Sequence, residues 1–248
     1  MVLLLAACAS VPRPTLEAPS AAAPPYDAWQ RVLEKYVDDQ GRVNFAGVKN
    51  DRADLDNFVA WVYDYSPENQ PNLFPTQAHV LAYHINAYNA LAMHKVLEKD
   101  IPRDLNGLRK VTFFFFGKVR VGSQPITLAK YENDVIRKIQ DPRMHVALNC
   151  MSGSCPHLPR EAFLPEKLDE QLDREARRFY NESRNVQVDD ANRILRLSEI
   201  LDFYTEDFLK SAPSLAAYVN KYRDQKVPED YQVKFIPYDW TIVRQPGT

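Results

Sequence analysis

The 248-residue chain has only three cysteines and seven glycines. Glycine scarcity leaves few flexible turns, and the 18 prolines mark fixed ones instead. There is no Gly-rich phosphate loop and no sugar or nucleotide signature. No Lys/Arg block stands out and the formal net charge is −2, which argues against nucleic acid as a partner. No internal repeat is visible, and no segment approaches the ~20 apolar residues of a membrane-spanning helix. What remains is ordinary globular composition, 45% hydrophobic and 26% charged, enough for one sizeable core or two small ones.

The first positive signal is "MVLLLAACAS". An apolar run ending Leu5-Ala6-Ala7-Cys8 resembles a bacterial lipobox, in which small residues precede a cysteine that is lipidated. The run is shorter than a normal export signal and no basic residue precedes it, so a late or trimmed start is expected. Residues 1–8 are read as a signal-peptide remnant. Residues 9–25, rich in Ala, Pro and Ser, are read as a semi-extended tether that does not pack. Residues 26–248 are read as a single domain. The expected location is the bacterial cell envelope, lipid-anchored through Cys8 to a membrane surface and facing the periplasm or exterior, an oxidising compartment.

Along the folded part, apolar residues at helical spacing predict helices at Tyr26–Val37, Asp51–Ser66, Thr76–Asp100 (capped by Thr76) and Leu128–Gln140. Further helices are expected from Pro165 to Ser183 and in "SEILDFYTEDFLK" and "SLAAYVNKYRD". "GRVNFAGVK" reads as a short strand or turn before the next helix, and "VTFFFFGKVRVGSQPIT" as a strand or hairpin turning at Gly122-Ser123. "RMHVALNC" reads as a short buried strand or helix turn, "NVQVDDANRILRL" as a hairpin and "YQVKFIPYDWTIV" as a final strand. Strict βαβ alternation is absent. An α+β fold follows, mostly helical, with a small, mainly antiparallel sheet of short strands.

Some polar residues fall on faces that should be buried. Asn86 and Asn89 share the apolar spacing of the long helix, and a buried amide without partners costs about 1–3 kcal/mol. They must bind either the backbone of a neighbouring loop or a loop that carries chemistry. His79, His84 and His94 read as surface or boundary positions. Glu132 lies among Leu128, Tyr131, Val135, Ile136 and Ile139, where a carboxylate needs a partner. An arginine would make a structural pair, and a histidine a catalytic relay.

"MHVALNCMSGSCPH", Met144–His157, concentrates two cysteines and two histidines. Four readings compete. With Cys8 lipidated, Cys150 and Cys155 are the two thiols left to form a disulfide. A small strained bridge would also suit dithiol redox chemistry, although the spacing is not Cys-x-x-Cys. His145, Cys150, Cys155 and His157 are zinc-compatible in type but not in familiar spacing. Finally, a thiolate with His145 as base and Glu132 as orienter suits acyl transfer or amide hydrolysis, with Asn149, Ser152 and Ser154 as oxyanion donors. If Arg143–Asn149 is a strand, His145 and Cys150 face opposite ways, and only a turn at Met151–Ser154 returns Cys155 toward His145. If Pro156 opens a helix, Cys155 is its N-cap and the helix dipole lowers its pKa.

"YHINAYNALAMHKVL", "ITLAKYENDVIRK", "HVALNCMSGSCPHLPREAF", "LRLSEILDFYTEDF" and "PYDWTI" occur in this order. Together they resemble the DUF547 family, a domain of unknown function found in bacteria, plants and animals, over roughly Tyr83 to Ile242. The resemblance maps family motifs onto Asn86, Tyr88, Asn89, Glu132, His145, Cys150, Cys155 and Pro156. The candidate substrate-positioning residues are Asn86, Tyr88, Asn89 and Asn149. His84 stands where the family has an aromatic and His157 where it has Pro or Arg, so His157 is discounted as a ligand. The plant branch does not always keep the second cysteine, which favours Cys150 as nucleophile. The expectation is thus a thiol-dependent hydrolase or acyltransferase using Cys150 or Cys155, His145 and Glu132, with no cofactor and no metal. Its small-molecule or peptide substrate is not legible. The alternative is a non-enzymatic envelope scaffold with a Cys150–Cys155 disulfide.

Overall fold

The computed structural model describes residues 11–14 and 23–247. Cys8, and with it the lipidation expectation, lies outside the described residues.

The fold is organised around one helix. Helices α1 (Tyr26–Tyr36), α2 (Phe45–Asn50) and α3 (Ala53–Asp64) precede α4 (Gln77–Glu98). Thr76 caps α4 as the sequence predicts, its side chain accepting the His79 N–H. Every residue of α4 from Leu81 to Leu97 is buried, so the helix runs through the core rather than lying on it. α1 and α3 pack on one another, with Trp29 and Phe58 stacked at 5.9 Å, and α3 packs on α4. Its all-round burial makes His84 and His94 interior residues, contrary to the boundary positions expected of them.

α5 (Leu108–Val111) continues as a π-helical turn, Thr112–Phe116. The expected hairpin begins only afterwards, as β1 (Lys118–Val121) and β2 (Gln124–Thr127), with Gly122 and Ser123 at positive φ in the turn. The four phenylalanines are therefore helical. Phe113 and Phe114 are buried while Phe115 and Phe116 are exposed, a two-in, two-out order that a strand's alternation cannot produce. Phe45–Asn50 is likewise a helix.

The helix expected over Leu128–Gln140 forms in three pieces. α6 (Leu128–Lys130) passes into a π turn, Tyr131–Val135, and then a 3-10 turn, Ile136–Ile139. The wide turn turns consecutive Tyr131 and Glu132 to the buried side. Pro142–Val146 is also a 3-10 turn rather than a strand. A long loop leads to α7 (Leu168–Asn181), and then β3 (Val186–Asp189) pairs antiparallel with β4 (Ile194–Ser198). α8 (Ile200–Phe203), α9 (Thr205–Leu209) and α10 (Leu215–Asn220) follow. β5 (Gln232–Ile236) returns parallel to β4.

Helix thus dominates, with two small sheets of short strands, an α+β single domain. The main core surrounds α4, and a second cluster gathers α7, α10 and β4 around Phe179, Tyr180, Leu197 and Phe208. The tether composition gave no sign that Val11 packs. Val11 is buried, its N–H donates to the Lys118 carbonyl (2.8 Å), and its own carbonyl accepts from Tyr63 Oη (3.0 Å).

Candidate functional site: a buried dithiol beside an Asp–His pair

The cysteine loop is held by amides. Asn89 on α4 donates to the Ala147 carbonyl (3.0 Å) and accepts the Asn149 N–H (2.7 Å). Asn149 in turn donates to the Pro156 carbonyl (2.7 Å) and accepts the Met151 N–H (2.6 Å). Its amide thus helps close the Cys150–Cys155 loop from within. Asn86 does the same for another segment, bridging the Phe163 N–H and carbonyl. Both α4 asparagines therefore bind loop backbone, and Asn89 binds the loop that carries the thiols.

The other wall of the loop is the segment after β5. Gly153 N–H donates to the Thr241 carbonyl and Ser154 N–H to the Asp239 carbonyl. A Cβ on Gly153 would come within 2.5 Å of Asp239 Oδ2, so a larger residue here would push that carboxylate aside. Glu199 accepts the Tyr238 N–H (2.8 Å) and fixes that residue over the loop.

Cys150 and Cys155 are buried free thiols with sulfurs 3.0 Å apart. Their surroundings differ. Cys155 Sγ receives the Cys150 N–H (3.1 Å) and lies 3.2 Å from Tyr238 Oη and 3.5 Å from Ser152 Oγ. Burial pushes the Cys155 thiol up, but hydrogen bonds from Cys150, Ser152 and Tyr238 outweigh it and bring the thiol below its ordinary range. Cys150 goes the other way, raised by its hydrogen bond to Cys155 and by burial. No helix follows Pro156, so the low value at Cys155 owes nothing to a helix dipole.

His145 lies at the end of the 3-10 turn, with its ring stacked on Tyr204 at 4.0 Å. Its Nε2 is 3.0 Å from Asp207 Oδ2. Asp207 also accepts from Arg137 Nε (2.6 Å) and Lys210 Nζ (3.1 Å). The His145 hydrogen bond and these two cations hold its carboxyl well below the usual carboxylate range, against the opposing effect of burial. An ionised Asp207 accepts a hydrogen bond from Nε2–H and so selects the tautomer that carries its proton there. The remaining nitrogen, Nδ1, is buried and has no hydrogen-bond partner among the described residues.

Glu132 does not orient His145. Its carboxylate accepts from Tyr88 Oη (2.9 Å), and it also faces Tyr204, whose hydroxyl is raised by burial and by Glu132. Among the described residues no hydrogen bond joins His145 to Glu132 or to either sulfur. His145, Glu132, Tyr88, Cys150 and Cys155 nevertheless line one cavity of about 70 Å³, walled by Phe114, Tyr204, Tyr238 and Trp240. This space is too small for a drug-sized molecule, which needs about 300 Å³ or more.

His157 takes no part. Its Nδ1 contacts the Gln40 carbonyl and its Nε2 lies 2.9 Å from Glu182. Among the described residues no three His, Cys, Asp or Glu side chains are placed to hold one metal ion, and the four-ligand reading does not fit this geometry.

Sequence reasoning missed Asp207, Tyr204 and Tyr238. The signal was present for Asp207, which follows Ile200, Phe203 and Tyr204 at the same helical spacing that exposed Asn86 and Asn89, whereas Tyr238 in "PYDWTI" stands in a stretch with no such periodicity.

Fold and site define an α+β domain with a buried dithiol beside an Asp-held histidine. Residues 74–180 match the family described as "Protein of unknown function, DUF547". The match covers less than half of the chain and supports the family resemblance. It includes Asn86, Glu132, His145 and both loop cysteines, but not Asp207 or Tyr238. Comparison with curated proteins and with solved structures returned no match.

Proposed function

We propose that the cavity is a thiol-dependent acyl-transfer or hydrolase centre with Cys155 as nucleophile and His145 as base. The observation that carries this reading is one cavity lined by both Cys155, whose thiol is lowered, and His145, whose Nδ1 has no hydrogen-bond partner among the described residues. Asp207, rather than Glu132, is the group that orients the imidazole. Cys155 Sγ attacks an acyl carbonyl carbon and its proton resides on Nδ1. The bond to the leaving group breaks, its electron pair stays with that group, and Nδ1 returns the proton to it. Water or an acceptor then cleaves the thioester, giving its proton to Nδ1 as Cys155 leaves. Ser152 and Tyr238 hydroxyls hold the sulfur anion in both halves of the cycle.

The test is to incubate the reduced protein with p-nitrophenyl acetate and read the acyl adduct by intact mass and peptide mapping. A single acyl group on Cys155, lost in Cys155→Ser and slowed in His145→Ala, supports the reading. Equal acylation of Cys155→Ser sinks it.

A second reading rests on the 3.0 Å sulfur separation. In it, Cys150 and Cys155 close a disulfide, their two electrons and protons passing to a disulfide oxidant, in a scaffold without acyl chemistry. Labelling only after reductant would favour it. The envelope location and the Cys8 lipid remain part of the proposal, and a Cys8→Ser chain that still takes up a radiolabelled fatty acid would count against them.

A further inference from the structure

The Leu108–Phe116 segment is an amphipathic helix mounted the wrong way round. Leu108, Val111 and Phe115 recur at helical spacing and share one face, and that face points outward. Leu108 is 82% exposed, Phe115 57% and Phe116 54%. Buried Phe113 and Phe114 hold the other side to the core. Phe203, exposed on α8, extends the same surface, because Lys110 Nζ lies 3.7 Å over the Trp240 ring and 6.0 Å from the Phe203 ring. A surface this apolar is uncommon on an isolated soluble domain.

Its rim is cationic. Residues 103–120 contain Arg103, Arg109, Lys110, Lys118 and Arg120 against one acid, Asp104, in a chain of net charge −2. Asp104 is engaged by Arg109 at 3.1 Å. Among the described residues no ion pair engages Arg103, Lys110, Lys118 or Arg120. Exposed Phe and Leu side chains with Lys110 beside them, on a segment whose other Lys and Arg lack ion pairs among the described residues, match the requirements of an anionic bilayer interface, apolar below and negatively charged above.

The N-terminal segment meets the fold at the same place, where Val11 N–H reaches the Lys118 carbonyl, two residues beyond Phe116. Val11 is three residues from Cys8, a span of at most about 10 Å. Under the lipid-anchor reading, the acyl chains and the aromatic face therefore approach one membrane. That part of the argument rests on the anchor, and the charge argument does not.

We propose that the Leu108–Phe116 face, with Phe203 and its basic rim, docks on an anionic lipid surface. Since Lys110 covers Trp240, which walls the dithiol cavity, the docked domain presents that wall to the bilayer.

The test uses the full chain as Cys8→Ser, so that no lipid contributes, with vesicles of phosphatidylcholine alone or mixed with phosphatidylglycerol. The expected result is co-sedimentation with the mixed vesicles only, reversed by salt. Trp240 emission should shift on binding, since Trp29 and Trp61 are buried. The pair Phe115→Asp and Phe116→Asp should weaken binding by about tenfold or more, and Lys118→Glu by about fivefold. Circular dichroism shows whether the variants fold, and the exposed Lys118→Glu keeps the test decisive if the aromatic variant does not. Binding unchanged in these variants, equal binding to neutral vesicles, or no vesicle binding would each overturn the proposal. So would a dimer that the same substitutions dissolve, which would make a second copy the occupant.

Discussion

Asp207 Oδ2 stands 3.0 Å from His145 Nε2, and this contact decides which imidazole nitrogen is left over. With Asp207 ionised, Nε2 keeps the proton and Nδ1 is the free base. Asp207→Asn preserves the shape but supplies an amide donor, which favours the opposite tautomer. Acylation of Cys155 by p-nitrophenyl acetate should slow by about a hundredfold or more, while thermal stability changes far less. An Asn variant acylated at the parent rate would remove the imidazole from the chemistry.

Tyr238 is the only aromatic hydroxyl within hydrogen-bond reach of Cys155 Sγ among the described residues, at 3.2 Å. Tyr238→Phe removes a donor that stabilises the thiolate. The Cys155 thiol should titrate higher than in the parent, which ultraviolet absorbance of the thiolate in a Cys150→Ser background would report. The stability cost should be about 1 kcal/mol.

Asn89 closes the thiol loop from the core side. Asn89→Ala leaves the Ala147 carbonyl and the Asn149 N–H without their partner. Urea unfolding should show a loss of about 1–3 kcal/mol, and the Cys155 alkylation rate should change with it. Asn86→Ala should cost a similar amount without touching the thiols, because its partner is Phe163.

These amides mark where sequence reading succeeds. A polar residue at apolar spacing announces a buried partner, and Asn86, Asn89 and Glu132 were visible on that ground alone. The Thr76 cap, the long α4 and the Gly122-Ser123 turn were legible for similar local reasons. The identity of each partner was not. Whether Glu132 or Asp207 reaches His145 depends on how α9 folds back over the 3-10 turn, a contact 62 residues distant in sequence. The phenylalanine run misled because β propensity reflects packing surroundings more than backbone preference. His84 and His94 misled because α4 is buried on all sides, which periodicity cannot anticipate.

Burial lowers both of these histidines from 6.5 to about 4. Between those values the unfolded chain binds protons that the folded chain does not, so stability falls as pH falls from 6.5 toward 4. Each histidine adds a slope of about 1.4 kcal/mol per pH unit. Urea midpoints across this range should decline steeply, and His94→Gln should flatten the decline. A flat parent profile would contradict the burial argument.

The central claim is that Cys155, not Cys150, is the activated thiol. The direct measurement is the pH dependence of iodoacetamide labelling in the fully reduced protein, with each site quantified by peptide mass spectrometry. The account predicts that Cys155 is alkylated first, with a midpoint below the ordinary thiol range, and that Cys150 reacts only at higher pH than an ordinary thiol. Preferential labelling of Cys150, or no labelling of either thiol below the ordinary thiol range, would contradict it.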